Sequence, residues 1–187
     1  MTSLLLASNS ASRVILVNLN KTLLVDLWYL RLWKGDELFD SNVDLVTDED
    51  ELYCALKKSI DHPNEIGRVI AIRAADHLLI QNSSIDLAIN IASMQEMDPS
   101  VIFEYFMDLP KICSERHLYF YCCNRQEKVL PDGTMTRFLD YPWSVNDQIM
   151  IDELCPWHQK YYSFKPPFFR PYDGPIQHRL AILAKSA

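Results

Sequence analysis

Short apolar runs alternate along this chain with segments of helical periodicity. Apolar runs of this length, rich in β-branched and aromatic residues, are typical of buried strands. They lie at residues 14–19, 68–74, 85–92, 117–125 and 176–184. Strands that alternate with helices form parallel sheets with crossover connections. We therefore predict an α/β fold in which the first four runs are mutually parallel strands of one sheet.

The intervening segments predict three helices. The first follows strand 14–19, is capped by Asn20 and ends at Gly35. Its apolar stripe comprises Leu24, Leu27, Trp28 and Leu32. The second helix is predicted over 48–60, with Leu52, Leu56 and Ile60 on one face and an acidic run at its N-terminus, where carboxylates suit the helix dipole. The third is predicted over 99–115 and ends near Ser114.

Polar residues directly follow the apolar run at 85–92. The segment 86–97 reads DLAINIASMQEM and places Asn90, Ser93, Gln95 and Glu96 after the strand. Ligands of open α/β sheets bind at the carboxyl ends of strands, so this segment is a candidate ligand edge. Ser93 and Glu96 also have the spacing of a capping box, which is the structural alternative.

The amino-acid composition of the chain changes after residue 125. An Asp-Gly turn is predicted at 130–134, and two segments rich in aromatic residues and proline follow at 138–143 and 155–175. No repeat or linker separates these parts. We therefore predict a single domain over residues 1–187.

Charge and cysteine content narrow the class of protein. The net charge is −7 and no cluster of Lys and Arg is present, which argues against a nucleic-acid partner. No apolar run is long enough for a membrane span, and none has the features of a signal peptide. The cysteine count of five is odd and contains no C-x-x-C spacing, so we expect a reduced, cytoplasmic protein without membrane association.

Four separated blocks occur together: DLAINIASMQEM, LPDGTMTRFLDYPW, DELCPWHQKYY and KPPFFRPYDGPIQHRL. In this order they resemble the C-terminal half of the sugar O-methyltransferase family, which is S-adenosylmethionine-dependent and Rossmann-like. The resemblance covers about residues 14–185 and is strongest from residue 86 onward. It implies a mostly parallel sheet with an antiparallel C-terminal strand, S-adenosylmethionine as cofactor, and a sugar or glycoside as substrate.

The chain departs from the family at its N-terminal side. The family begins with a strand, a glycine-rich loop and a helix, whereas strand 14–19 resembles the family's second strand and only 13 residues precede it. A parallel crossover needs a dozen or more connecting residues, so we expect the first strand and helix to be missing or replaced. Strands 14–19 and 85–92 would then expose edges, filled by residues 3–7, by direct pairing or by a second chain in a homodimer. Weak binding of S-adenosylmethionine is expected.

The resemblance also implies roles for individual residues. Its cofactor-binding positions are Asn18, which stands in place of the ribose-binding acid, Asp76 near the adenine, Asn90 and Ser93. Glu96 and His158 are the predicted catalytic residues. Histidine is the usual base near neutral pH, and we predict that His158 lies within reach of a pocket lined by residues 90–96. The alternatives are a packed histidine in an aromatic wall and, for Asp76, a solvent-facing acid.

Other polar residues have weaker indications. Carboxylates at Asp140, Asp152 and Glu153 suit Mg²⁺, but no spacing demands a metal, so no metal ligands are predicted and the metal requirement stays open. Arg170 and Arg179 are predicted to pair with carboxylates rather than to bind an anionic acceptor. His178 lies within a strand pattern and is predicted to be structural.

Three functions remain open from the sequence. The first is methyl transfer from S-adenosylmethionine to a sugar hydroxyl. The second is a catalytically inactive methyltransferase remnant that serves as an interaction or scaffold domain. The third and weaker one is another nucleotide-binding α/β protein, against which the missing glycine loop counts.

Overall fold

A computed structural model of the protein describes residues 6, 13–61, 67–112 and 117–184. The chain divides into two compact units, Met1–Ser83 (unit 1) and Ser84–Ala187 (unit 2). The prediction of a single domain over 1–187 stays a prediction. Among the described residues, no helix combines the length and the apolar character that a membrane crossing requires.

Unit 1 contains a three-stranded parallel sheet. Its strands are β1 (Arg13–Asn18), β2 (Val43–Val46) and β3 (Arg68–Arg73), in the order β1-β3-β2. Both neighbouring pairs are parallel. The central strand β3 is buried on both faces, as its unbroken apolar run requires. The predicted strands at 14–19 and 68–74 are confirmed, whereas β2 is an additional strand.

Three helices of unit 1 connect these strands, and a 3₁₀ segment follows the last of them. They are α1 (Asn20–Lys34), α2 (Asp36–Asn42), α3 (Glu49–Asp61) and a 3₁₀ segment (Ala74–Asn82). Gly35 ends α1 with φ of +83°, as predicted, because glycine tolerates that conformation. Asn20 does not cap α1 but is its first residue, and Leu19 occupies the cap position.

The acidic run lies at the N-terminus of α3, as predicted. The carboxylate of Asp48 accepts a hydrogen bond from the Glu51 amide at 2.8 Å, and Glu51 accepts one from the Thr47 amide at 2.7 Å. These reciprocal bonds satisfy amide groups that the first helical turn leaves free. Leu52 is buried, as predicted, while the side chain of Ile60, the Pro63 turn and Ser114 lie outside the described residues.

Helix α1 buries a different face from the predicted one. Leu23 and Leu30 are 3% and 2% exposed, whereas Leu24, Trp28 and Leu32 are each more than 60% exposed. Leu30 packs with Val69 of β3, against partly buried residues of β1, α2 and β2. Helix α1 carries apolar side chains on all of its faces, so periodicity alone did not distinguish the face that contacts the sheet.

Unit 2 contains a mixed sheet of four strands. The described part of unit 2 contains eight strands in all: β4 (Leu87–Ile91), β5 (Leu118–Arg125), β6 (Glu127–Val129), β7 (Met135–Arg137), β8 (Gln148–Leu154), β9 (Lys160–Tyr162), β10 (Phe169–Pro171) and β11 (Ile176–Leu183). The main sheet has the order β4-β5-β11-β8, and β6–β7 and β9–β10 form separate hairpins. β4 and β5 are parallel, and β11 is antiparallel to both of its neighbours. The parallel pair and the antiparallel C-terminal strand are confirmed.

The prediction of one sheet for the first four strands is wrong for the described residues. β1 and β3 belong to the sheet of unit 1, and β4 and β5 to the sheet of unit 2. An apolar run specifies a strand but not its partner. Among the residues that the structure describes, β1 and β4 lie at edges of their sheets, as expected. The stand-in strand proposed for residues 3–7 lies outside the described residues except for Leu6, which is helical and buried.

One face of the mixed sheet is covered by aromatic side chains. α4 (Pro99–Asp108) presents Phe106, whose ring lies edge-on to Phe120 of β5 at 5.5 Å and to Trp143 at 4.9 Å. The helix ends earlier than predicted and gives way to a 3₁₀ segment (Leu109–Ile112). Pro110 lacks the amide hydrogen that a continued α-helix needs.

Candidate functional site

Asn90 and Ser93 lie at the carboxyl edge of the mixed sheet, as predicted. The Asn90 amide nitrogen donates to the Ser93 hydroxyl at 2.7 Å. The Asn90 oxygen accepts from the Met94 amide at 3.1 Å and from the Asn124 side chain at 3.0 Å. The polar groups of Asn90 and Ser93 are therefore bonded to protein partners.

A buried amide network continues from Asn90. The Asn124 oxygen accepts from the Gln95 amide at 3.2 Å, and the Gln95 side-chain oxygen accepts from the Arg125 amide at 2.7 Å. Thr136 of β7 donates to the Gln95 carbonyl at 3.1 Å. These bonds hold the segment after β4 against the end of β5 and the β6–β7 hairpin.

The capping-box alternative for Ser93 and Glu96 is wrong. The short 3₁₀ segment Met94–Glu96 has no side-chain cap. Glu96 is half exposed and accepts a hydrogen bond from Gln95 at 3.1 Å, with Lys128 at 3.4 Å. Its catalytic role stays a prediction.

His158 is held by the loop that follows β8. Gln159 donates to the carbonyls of Cys155 at 2.8 Å and Ile176 at 2.7 Å, and accepts from the Ile176 amide at 3.2 Å. This clamp ties the loop to the start of β11. The half-buried His158 places Nε2 3.1 Å from the Tyr172 hydroxyl and Nδ1 4.0 Å from the Cys123 sulfur.

His158 and Asn90 lie on opposite faces of the mixed sheet. Asn90 pairs in register with Cys122, whereas His158 contacts Cys123. Successive side chains of a strand point to opposite faces. The prediction that His158 lies in a pocket lined by residues 90–96 is therefore wrong, and this geometry removes His158 as a base for an acceptor held against Asn90.

Cys123 beside His158, and Cys122 on the opposite face of the sheet, both have raised pKa values. Burial, followed by the neighbouring Cys155, raises the pKa of Cys123 to about 12, and burial raises the pKa of Cys122 to about 12 as well. Both groups are protonated near neutral pH, which excludes them as activated nucleophiles. Four described cysteines are free: Cys54, Cys122, Cys123 and Cys155. The polar partner of His158 is thus Tyr172.

Tyr172 lines a cleft of unit 2, which we call the Tyr172 cleft. Its volume is about 630 Å³ and its lining residues are Arg125, Tyr161, Pro171, Tyr172 and Asp173. The Tyr161 and Tyr172 ring centroids are 5.4 Å apart, and the Arg125 guanidinium carbon lies 5.8 Å from the Tyr172 ring centroid. His158 contacts this cleft through the Tyr172 hydroxyl.

The sequence did not single out Arg125 as a site residue. It is the last residue of a predicted strand, and no motif marks it. The sequence places Tyr161 among the aromatic residues that flank His158 and could stack on a sugar, whereas it marks Tyr172 only as a member of an aromatic segment. Position at the carboxyl end of a strand was the available signal for Arg125.

Unit 1 has a separate cleft at Asp76, which we call the Asp76 cleft. Its volume is about 370 Å³ and its lining residues are Thr47, Glu49, Asp76, Leu78, Leu79 and Gln81. Asp76 is half-buried and accepts a hydrogen bond from Arg73 at 2.5 Å. Asp76 is therefore an ion-paired, partly exposed acid, and its contact with adenine stays a prediction.

Asn18 is bonded within unit 1. Its amide nitrogen donates to Asp26 at 2.9 Å, and its oxygen accepts from the Leu19 amide at 2.9 Å. Asn18 thus closes the turn between β1 and α1. A role in cofactor binding stays a prediction.

The pairing prediction is confirmed for Arg179, whereas Arg170 pairs with no carboxylate among the described residues. Arg179 donates to Asp152 at 2.6 Å and lies 4.7 Å over the Trp143 ring. Burial acts to raise the pKa of Asp152, but hydrogen bonds from Arg179 and Gln177 outweigh it, so this pKa is lowered. Arg170 instead donates to backbone carbonyls, including that of Pro166 at 3.2 Å.

The remaining candidates His178, Asp152 and Glu153 lie within strands of the mixed sheet. His178 is buried in β11, with Nδ1 3.1 Å from the Tyr121 hydroxyl. Asp152 and Glu153 are neighbours in β8, so their side chains leave on opposite faces. Among the described residues, no three His, Cys, Asp or Glu side chains are grouped to hold a metal ion.

Comparisons with known proteins identify no family for this chain. No protein-family model matches the chain, and no curated protein matches it. The functional argument therefore depends on the residues and the geometry described above.

Proposed function

We propose that the protein is an S-adenosylmethionine-dependent O-methyltransferase with a Rossmann-like fold, acting on a sugar hydroxyl. The observation that carries the proposal is the Tyr172 cleft with His158 bonded behind it. The antiparallel C-terminal strand β11 supports it, because the sequence resemblance implies such a strand.

The lining of the Tyr172 cleft suits a sugar. The rings of Tyr161 and Tyr172 offer apolar surface to the C–H faces of a pyranose, and the Asp173 carboxylate accepts hydrogen bonds from hydroxyls. A volume of about 630 Å³ lies within the range of small-molecule sites.

His158 and Tyr172 provide a path for the proton of the acceptor hydroxyl. A sugar hydroxyl in the cleft donates to the Tyr172 oxygen while the Tyr172 proton passes to Nε2 of His158, 3.1 Å away. Neutral imidazole accepts a proton at one ring nitrogen. His158 therefore acts through Tyr172, and the positive charge that forms lies behind the ring rather than against the sugar.

Considered within unit 1 alone, the Asp76 cleft suits an adenosine group by its chemistry. Leu78 and Leu79 provide apolar contact for a purine, and Asp76, Thr47 and Gln81 provide polar groups for an amino group and ribose hydroxyls. When bound, S-adenosylmethionine supplies an electrophilic methyl group on a sulfonium. Arg73 donates a hydrogen bond to the Asp76 carboxylate and holds it in place for a contact with the adenosine group.

A second candidate function is an interaction or scaffold domain without methyl transfer. It is favoured by the engagement of Asn18, Asn90 and Ser93, whose polar groups are bonded within the protein. A cofactor that used them would have to replace those bonds, each worth about 0.5–1.5 kcal/mol.

Calorimetric titration with S-adenosylmethionine, together with transfer of labelled methyl to a panel of glycosides, tests the proposal. We expect labelled product from the wild type, and a fall in kcat of about 10²–10⁴-fold for Tyr172→Phe and His158→Ala. Tyr162→Phe is the matched control, since Tyr162 is exposed and outside the cleft lining.

The outcomes separate the two candidates. The sequence predicts weak cofactor binding, so a micromolar complex with S-adenosylmethionine would overturn that expectation and support the transferase. If neither binding nor labelled product is observed, the transferase is excluded and the scaffold is favoured. An unchanged kcat in Tyr172→Phe would remove the proton path from an active enzyme.

A further inference from the structure

The guanidinium of Arg125 lacks a polar partner among the described residues. Arg125 is half-buried, and its Nε is enclosed without a hydrogen-bond acceptor. Most other arginines of the described part are ion-paired: Arg31 with Asp36, Arg68 with Asp44, Arg73 with Asp76, Arg137 with Glu127 and Arg179 with Asp152. Arg170, which also lacks a carboxylate partner among these residues, donates instead to backbone carbonyls, so Arg125 differs from it in having no acceptor of either kind.

An unpaired, half-buried cation is costly to maintain. Loss of water from a charged donor is offset only when an acceptor or an opposite charge replaces it. The Tyr172 ring offsets part of this cost, because its centroid lies 5.8 Å from the guanidinium carbon. Asp173 lines the same cleft but forms no ion pair with Arg125 among the described residues.

We propose that Arg125 makes the Tyr172 cleft selective for an anionic sugar, whose carboxylate or phosphate binds the guanidinium. This inference rests on the proposed function, in which the cleft holds the acceptor. The planar fork of arginine binds two oxygens of a carboxylate or phosphate at once. The tyrosine rings then contact the sugar face, and Asp173 accepts hydrogen bonds from its hydroxyls.

The arrangement also assigns the two charges of the cleft to different parts of one ligand. Arg125 lies at the end of β5 and against the Tyr172 ring, while Asp173 is exposed at the rim. A neutral sugar satisfies Asp173 but leaves Arg125 without a partner. An anionic sugar satisfies both, which is the reason for the expected selectivity.

NMR titration of the full chain with glucuronate, glucose 6-phosphate and glucose tests the inference. We expect at least one anionic sugar to bind about tenfold or more tightly than glucose, as a charge-assisted hydrogen-bond pair predicts. The two anions distinguish a carboxylate from a phosphate. Arg125→Gln should abolish the preference, Arg125→Lys should keep part of it, and the remote Arg137→Gln should keep all of it.

Two further measurements keep the test decisive if Arg125→Gln does not fold. Added NaCl should weaken anion binding to the wild type but leave glucose binding unchanged. Tyr172→Phe retains the ring beside Arg125, so it should keep the anion preference while losing the bond to His158.

The outcomes are distinguishable from those of the proposed function. Equal binding of glucose and both anions overturns the inference and leaves the transferase proposal standing. Anion binding that depends on Arg125, without any methyl transfer, supports the inference as a binding site and refutes the transferase. Anion binding that Arg125→Gln leaves unchanged overturns the inference.

Discussion

Units 1 and 2 both place an asparagine at the carboxyl end of a strand, but the two residues serve different purposes. In unit 1, Asn18 is the last residue of β1 and bonds Asp26 and the Leu19 amide at a half-exposed turn. In unit 2, Asn124 at the end of β5 is fully buried and bonds Gln95, Asn90 and Cys122. The first arrangement closes a turn, and the second specifies the geometry of a sheet edge.

The units also differ in how they cover their sheets. In unit 1, β3 is enclosed, yet much of the apolar surface of α1 remains exposed. In unit 2, aromatic side chains cover one face, and the other face holds Cys123, His178 and the Tyr172 region. The difference teaches that buried hydrogen bonds determine the edge geometry of unit 2, whereas a half-exposed turn determines that of unit 1.

The largest expected effect comes from the two cores. Phe120→Ala should cost about 3–5 kcal/mol and Ile70→Ala about 2–5 kcal/mol, because each leaves a cavity among fully buried neighbours. Hydrogen exchange resolved by peptide should show Phe120→Ala raising exchange mainly in 84–184 and Ile70→Ala mainly in 13–83. Equal loss of protection throughout the chain would contradict the division into two units.

Helix α1 provides a matched pair. Leu30→Ala should cost about 2–5 kcal/mol, because Leu30 packs against Val69, whereas Trp28→Ala should change the free energy of unfolding by less than about 0.5 kcal/mol. Urea unfolding measures both. A large loss of stability in Trp28→Ala would show that the exposed face is covered in solution.

Substitution of the asparagines at the strand ends should also destabilise unit 2 more than unit 1, but each should cost less than a core substitution. Asn124→Ala leaves the Gln95 amide without its acceptor and should cost about 1–3 kcal/mol, while Asn18→Ala at its half-exposed turn should cost less than about 1 kcal/mol. Thermal unfolding of both variants measures this contrast. Similar costs would remove the distinction drawn between the two edges.

The smallest effect concerns pH. Burial acts to raise the pKa of Asp44, but hydrogen bonds from Lys58 and Arg68 outweigh it and the pKa is lowered; the pKa of Asp152 is lowered likewise. A depressed folded-state pKa contributes stability at neutral pH that is lost as the pH falls from about 5 toward the folded value.

Asp44→Asn and Asp152→Asn should each flatten this acid dependence, the first in unit 1 and the second in unit 2. Stability measured against pH for each variant checks the prediction. A variant whose stability still falls as steeply as that of the wild type would show that its carboxylate does not contribute.

Several errors of sequence interpretation have a common physical origin. β8 was not predicted because every residue of this edge strand is exposed, so it shows no apolar alternation. The buried face of α1 was misassigned because the helix is apolar on all sides. The location of His158 relative to residues 90–96 was predicted wrongly, because the face on which a side chain lies depends on how the strands pair. No local sequence pattern reports that pairing.

The sequence by itself determined the α/β class, the positions of β1, β3, β4, β5 and β11, the glycine that ends α1, and the polar edge after β4. These depend on local periodicity and backbone preference, which neighbouring residues settle. Only the tertiary structure decided that the strands form two sheets, that His158 bonds Tyr172, and that Arg125 has no described polar partner. Those outcomes depend on residues that are distant in the chain and meet through strand pairing and burial, so the free energy that selects them is not local.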